Sequence, residues 1–367
     1  MSSSKKQLTE KVLGILREFP ARFGSELRKI RLQMIAIALA FLAGAIILAA
    51  TGYSPIEAYG ALITGAFGDI FGIAQTLAKA TPIIFTALAF LFAFKCGLFN
   101  IGAEGQLLVG AFAAALVGIS FDGLPALVHV PMALLAGAVA GGLWGFIPAV
   151  LKTKLGAHEV ITTMMLSYVA LYFTSYLVNY PFKAPGGVSQ TVAVAPSAVL
   201  PLIFQSTQLS ASVFVAVGLV VLTYYTLQKT TLGYEVRAIG LNPTAAESGG
   251  INVKRGIVLA LLISGAMAGL GGAGEVLGVH GRFIEGFSPG YGWDGLAVAL
   301  VGGLNPLGVL IAAVLFGALR SGGMEMTRVT QVPLDIVSIL QALVIIFVAA
   351  PMLIKYLLKK GGHKWSD

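Results

Sequence analysis

The sequence predicts an all-α, polytopic membrane protein of about ten transmembrane helices in two inverted repeats. Three observations predict it. Hydrophobic residues make up 57% of the 367 residues and charged ones only 11%, where a soluble domain holds about a quarter charged. Apolar runs of 18 residues or more recur; a helix of about 20 such residues crosses the ~30 Å hydrocarbon core. Closed barrels also span membranes, but these runs are too long and too rich in Leu, Ala and Gly for barrel strands. The third observation is that two stretches of the chain repeat one plan of apolar segments.

In order, residues 1–30 form a basic arm in which Leu8, Val12, Ile15, Leu16 and Phe19 share one helical face, as in an amphipathic helix on the cytoplasmic membrane surface. Its length before the first apolar run argues against a cleaved signal peptide. The transmembrane domain covers 31–357, and 358–367 form a cytoplasmic tail. The first span is about 31–50. Residues 51–72, with Pro55 and several glycines, form a short surface helix. The second span, 73–95, contains Thr81-Pro82, where a kink is expected. A polar, Gly-rich break at 95–106 leads into a short third span ending near 118. The fourth and fifth follow at 131–151 and 158–178. A long polar stretch, 179–201, precedes the sixth at 211–227. The seventh is 256–278. The eighth, 292–303, would be roughly 18 Å long at 1.5 Å per residue, short of the core, and is tilted, broken or re-entrant. The ninth, 306–319, is also short, and the tenth is 334–356.

An even number of crossings puts both termini on one face. That face then holds the arm, Lys95, the 152–156 loop, the 229–255 loop and the tail. These contain all 24 Lys and Arg except Lys79, Lys183, Arg282, Arg320 and Arg328. By the positive-inside rule it is the cytoplasmic face; the 179–210 and 279–290 loops lie opposite. The net charge of +8 and pI near 9.5 therefore report orientation, not a nucleic-acid partner. Within this topology, 73–178 and 256–356 each run long helix, short Gly-rich helix, Gly/Ala-rich helix and aliphatic helix, entering from opposite sides. Inverted repeats with interrupted helices are a transporter design, with the substrate path at their interface.

Polar residues inside the bilayer are functional candidates by default. Asn100, Glu104 and Gln106 cluster at the break before the third span; Asp294, beside Trp293, occupies the matching place before the eighth. Thr163 and Ser167 belong to a polar stripe on the fifth. Each has a plainer reading as a helix cap or a bond between helices. Glu275 and His280 are gate or loop residues. Cys96 is the one cysteine, which excludes an intrachain disulfide. No catalytic motif and no metal-ligand spacing is present. The sequence also lacks the phosphate-binding loop GxxxxGK[ST], so ATP-driven transport would need a partner ATPase.

The polar loop 229–255 reads either as an ordinary inter-helix loop or as the docking point for such a partner. Residues 232–239 suit a helix ending at Gly240. Asn242 suits the N-cap of a second helix, with Pro243 at its first position, where a missing N–H costs nothing. Gly249-Gly250 suits its end.

The loop GYEVRAIGLNPTAAESGGI (233–251) resembles the coupling loop of ABC importer permeases in the branched-chain amino acid, simple-sugar and nucleoside branch. FNIGAEGQLLVGAFAA (99–114) is similar to the nucleoside-type members, which work with a Bmp-type lipoprotein. The resemblance covers about 31–357. It implies the vitamin-B12-permease-like fold, a second homologous permease chain in a heterodimer, an extracytoplasmic binding lipoprotein and ATP-binding subunits that hold the ATP and Mg. This chain itself needs no cofactor. It implies an ATPase-coupling role for Gly233, Arg237, Ala238, Gly240, Asn242, Pro243, Ala245, Ala246 and Gly249. It also implies a bacterial or archaeal cell membrane and a nucleoside cargo, with sugars or another heterocycle as alternatives. Two further readings stand beside it: an ion-coupled secondary transporter titrating Glu104, Asp294 or Glu275, and a membrane scaffold without cargo.

Overall fold

The structure is a computed structural model that describes residues 34–121 and 123–349. The basic arm, the tail and the end of the tenth span lie outside the described residues. The chain divides into two compact units. One contains residues 56–334. The other contains, among the described residues, α1 (Met34–Ala50) and nearly all of α13 (Leu334–Ala349). In α1, Ala36, Ala40 and Leu48 fall on one buried face; in α13, Ile336, Val337, Leu340 and Val344 do the same.

The larger unit holds α2 (Pro55–Phe67), α3 (Ile70–Lys95), α4 (Ala103–Ser120), α5 (Ala126–Leu155), α6 (Glu159–Asn179), α7 (Ser212–Lys229), α8 (Thr231–Leu241), α9 (Pro243–Ser248), α10 (Val253–Glu275), α11 (Tyr291–Val301) and α12 (Pro306–Thr330). Among the described residues, seven helices are long and apolar enough to cross a membrane: α3 to α7, α10 with the π turn Val276–His280 that extends it, and α12. The shorter apolar α1 and α13 and the 11-residue α11 complete the order read from the sequence.

Three expectations are corrected. The ninth span is not short: α12 continues through SGGMEMTRVT for 25 residues in all. Its polar second half was read as loop, but its apolar and small residues still recur at helical spacing, and Ser321, Gly322, Gly323 and Met326 are buried. The third span is 18 residues, because the Gly-rich break ends at Gly102 and Ala103 already starts the helix. The helix at 232–239 does not stop at Gly240 but runs on to Leu241. Pro82 lies inside α3, which continues as one helix from Ile70 to Lys95.

Close packing of small residues builds the centre. A Cβ on Gly269 of α10 would overlap the Gly137 carbonyl oxygen of α5, and one on Gly137 would meet Ala273 Cβ at 2.7 Å. Gly137 and Gly141 face Gly265 and Gly269 with the four-residue spacing that lets helix backbones touch. Packing between the two repeats is reciprocal: α10 lies on α4 and α5, and α3 lies on α11 and α12. Each long helix thus covers the short and Gly-rich helices of the other repeat. Away from the α8–α9 loop, the 179–210 and 279–290 segments join: Thr191 N–H donates to Phe283 O at 2.9 Å, and Glu285 N–H to Ser189 O at 2.9 Å.

Candidate functional site: the α8–α9 elbow and the polar joint of the repeats

The elbow begins at Thr230, whose side chain caps α8 by accepting from Gly233 N–H at 3.2 Å. Gly233 is pressed against the Thr226 carbonyl, where a Cβ would overlap. Val236 and Ile239 are buried. Arg237 Nε donates to Gly233 O at 3.2 Å, and the guanidinium lies within electrostatic reach of Lys95 at the end of α3. Gly240 sits on the Lys95 carbonyl and on Gly97, which has a φ of +76° and so favours glycine. Buried just before Gly97, the Cys96 thiol has its pKa pushed up to about 12.

Asn242 then turns the chain. Its Oδ1 accepts from Ala245 N–H at 3.0 Å, Pro243 takes the first helical position, and α9 ends at Gly249, followed by Gly250 at φ +85°. Both caps expected from the sequence are present; the left-handed residue is Gly250. Gly233, Arg237 and Gly240 set the elbow against the bundle, and Ala246 is buried. Pro243, Ala245 and Gly249 are exposed. Sequence reasoning missed Leu241 and Tyr234. They are 88% and 63% exposed, and so form an apolar crest on an element otherwise polar. The available signal was an aliphatic residue directly before an Asn-Pro cap.

The membrane polar candidates gather at the joint between repeats. Asn100 Nδ2 donates to Gln106 Oε1 at 3.0 Å and to Ser264 Oγ of α10 at 2.8 Å, while its Oδ1 accepts from Gly102 N–H at 2.9 Å. Ser264 Oγ in turn donates to the Ala89 carbonyl of α3 at 2.7 Å. Thr163 accepts from Ile101 N–H at 3.1 Å, and Ser167 from Gly105 N–H at 3.4 Å. These bonds satisfy backbone donors that a helix start leaves free. Glu104 caps the other repeat: its Oε2 accepts from Gly292 N–H at 2.6 Å, so the starts of α4 and α11 meet head to head. Thr86 of α3 donates to Tyr291 O at 2.8 Å.

Asp294 does not join this network. It pairs with Arg320 of α12 at 2.5 Å, and that guanidinium lies 5.5 Å from the Tyr291 ring centre. Trp293 is 37% exposed. Sequence reasoning missed Ser264, Arg320 and Lys79. Lys79 lies within electrostatic reach of Glu275, which is buried at the π turn with His280 Nε2 3.8 Å from its carboxylate. Among the described residues no group of three or more His, Cys, Asp or Glu could hold a metal ion.

Among the described residues, a helical bundle with several spans, packed as two groups of helices and carrying a capped two-helix elbow, is the architecture of a multi-pass membrane protein. The family described as "Branched-chain amino acid transport system / permease component" matches residues 72–349. The guanosine ABC transporter permease protein NupP of Bacillus subtilis is 42% identical over 338 residues, covering 91% of this chain and 97% of that protein. The nucleoside ABC transporter permease protein NupB of Lactococcus lactis is 38% identical over 344 residues, 91% of this chain and 94% of the relative. A glucose ABC transporter permease protein of Haloferax volcanii is 37% identical over 325 residues, 86% and 85% of the two chains. The chain belongs to this permease family, and is a transport component rather than an enzyme.

Proposed function

We propose that this chain is the membrane permease of an ABC importer that moves nucleosides into the cytoplasm. The observation that supports it best is its likeness, over nearly the whole of both chains, to permeases named for guanosine and for nucleosides. The glucose permease is less similar and less completely covered. Transport is by alternating access. A binding lipoprotein delivers solute to the face of the joined 179–210 and 279–290 segments. A second homologous permease chain completes the pathway. ATP-binding subunits, holding ATP and Mg, dock on the α8–α9 elbow from the cytoplasm, and both termini lie on that side.

The geometry of the elbow supports this reading. Leu241, Tyr234, Pro243 and Ala245 face outward, while Gly240 and Gly233 bring its backbone onto the end of α3 and the end of α7. A push on the elbow therefore reaches α3, the helix against which the other repeat packs. Asn100, Glu104, Gln106, Thr163, Ser167, Trp293 and Asp294 remain the substrate-pathway candidates, and the hydrogen bonds of the first five also position the repeat joint.

The test is purification of the complex from its native membrane in mild detergent, reconstitution, and guanosine uptake with and without ATP. Co-purification of an ATPase with a phosphate-loop motif and ATP-dependent uptake are expected. A homo-oligomer without ATPase that transports on a proton or sodium gradient would overturn the reading.

A further inference from the structure

None of the membrane polar residues singled out in the sequence lines an open pocket found in the larger unit. This pocket, about 580 Å³, lies between the first part of α3, the second half of α12 and the end of α2. Small-molecule sites measure about 300–1,000 Å³. Gln75 and Lys79 enter it from α3, Ser321 and Arg328 from α12, and Gln208 from the loop before α7. Lys79 Nζ donates to Gln208 Oε1 at 2.8 Å. Gln75 and Ser321 line the pocket with polar groups that no described residue hydrogen-bonds.

Three arguments make the pocket a solute site. Charge on a lipid-facing helix surface is strongly unfavourable, yet α3 presents Lys79, the tenth residue of the helix, to this pocket. This face therefore looks onto water or solute, not hydrocarbon. Position agrees: the pocket takes Phe71, Gly72, Gln75 and Lys79 from the start of α3, whereas the other end of α3, at Lys95, meets the elbow. The pocket is on the side where solute arrives. Chemistry narrows the occupant. The Gln75 amide offers a donor beside an acceptor, the pattern that pairs with a purine edge, and Gln208, whose Oε1 accepts from Lys79, offers its Nε2 donor. Phe71 and Met324, both exposed, offer apolar surface to a planar ring. Ser321 and Lys79 suit hydroxyl groups.

We propose that the α3–α12 pocket is a binding station for the transported solute, an uncharged, hydroxylated planar heterocycle of the nucleoside class. The proposal rests on the nucleoside reading above, and its test separates the two. Cys96 is the sole cysteine, so Cys96→Ala provides a cysteine-free background for Gln75→Cys and Ser321→Cys in the reconstituted complex. A hydrophilic methanethiosulfonate should label both. Labelling should slow about tenfold at a guanosine concentration about ten times its dissociation constant, since protection scales as 1 + [L]/Kd. Ile73→Cys, on α3 but outside the pocket, should show no guanosine protection. Absent labelling, or labelling without protection in a complex that still takes up guanosine, overturns the site and leaves the function standing. Failure of the unaltered complex to take up guanosine overturns the nucleoside reading and the proposed occupant with it.

Discussion

Glu104 shows how a residue's place changes its meaning. In the sequence it is a carboxylate inside a membrane span, and hence a candidate for proton coupling. In the structure its oxygen caps α11. Glu104→Gln keeps an acceptor for Gly292 N–H and should retain uptake and melting temperature. Glu104→Ala leaves that buried donor unpaired, at about 1–3 kcal/mol, and should lower the melting temperature of the detergent-purified complex. Equal damage from Gln and Ala would favour the ionisable role over the cap. Glu285, outside the spans, gives a pH prediction. Hydrogen bonds from Ser175 and Asn179 hold its carboxyl below the usual range, so the folded state favours the ionised form. Its contribution is full above the unfolded pKa of about 4.3 and is lost as pH falls through the lower folded value. The hydrogen-exchange protection of the 189–191 backbone, relative to the intrinsic amide rate at each pH, should therefore fall on acidification through that window, and Glu285→Gln should abolish this pH dependence of the protection.

The elbow is a device of caps. Loss of an N-cap side chain costs about 1 kcal/mol, which is large for a six-residue α9. Asn242→Ala combined with Pro243→Ala should therefore abolish ATP-dependent uptake while membrane insertion and melting temperature remain nearly unchanged. Arg237→Glu should do the same. Normal uptake by these variants would remove the coupling assignment. Leu241→Asp tests the outer face: it touches no cap, and should weaken co-purification of the ATPase. The elbow was legible in the sequence because caps are local; Asn-Pro and Gly-Gly act on backbone groups a few residues away. The outward crest was not, because which side of α8 is buried depends on Gly240 meeting the end of α3.

Across the larger unit, helices are held by backbone proximity. Gly269→Val should prevent accumulation of folded permease, since its side chain must enter the space of the Gly137 carbonyl. Gly218→Ala, where a Cβ meets nothing within 4 Å, should leave both accumulation and uptake unchanged. Comparable levels of the two variants in membranes would show that close packing of α5 and α10 is dispensable.

The sequence by itself determined the helical class, the order of apolar segments, the repeated plan and the capped elbow. Each follows from hydrophobic length or from contacts within one turn of chain. It also placed polar residues at matching breaks in the two repeats. Only the tertiary structure decided what those residues bond to. Asn100 bonds to Ser264 and Glu104 to Gly292 across 164 and 188 residues of chain, and those pairings exist because glycine-lined helices bring the two repeats into contact. The α3–α12 pocket belongs to the same category: its amides, hydroxyl and cations are far apart in sequence, and become one site through helix packing.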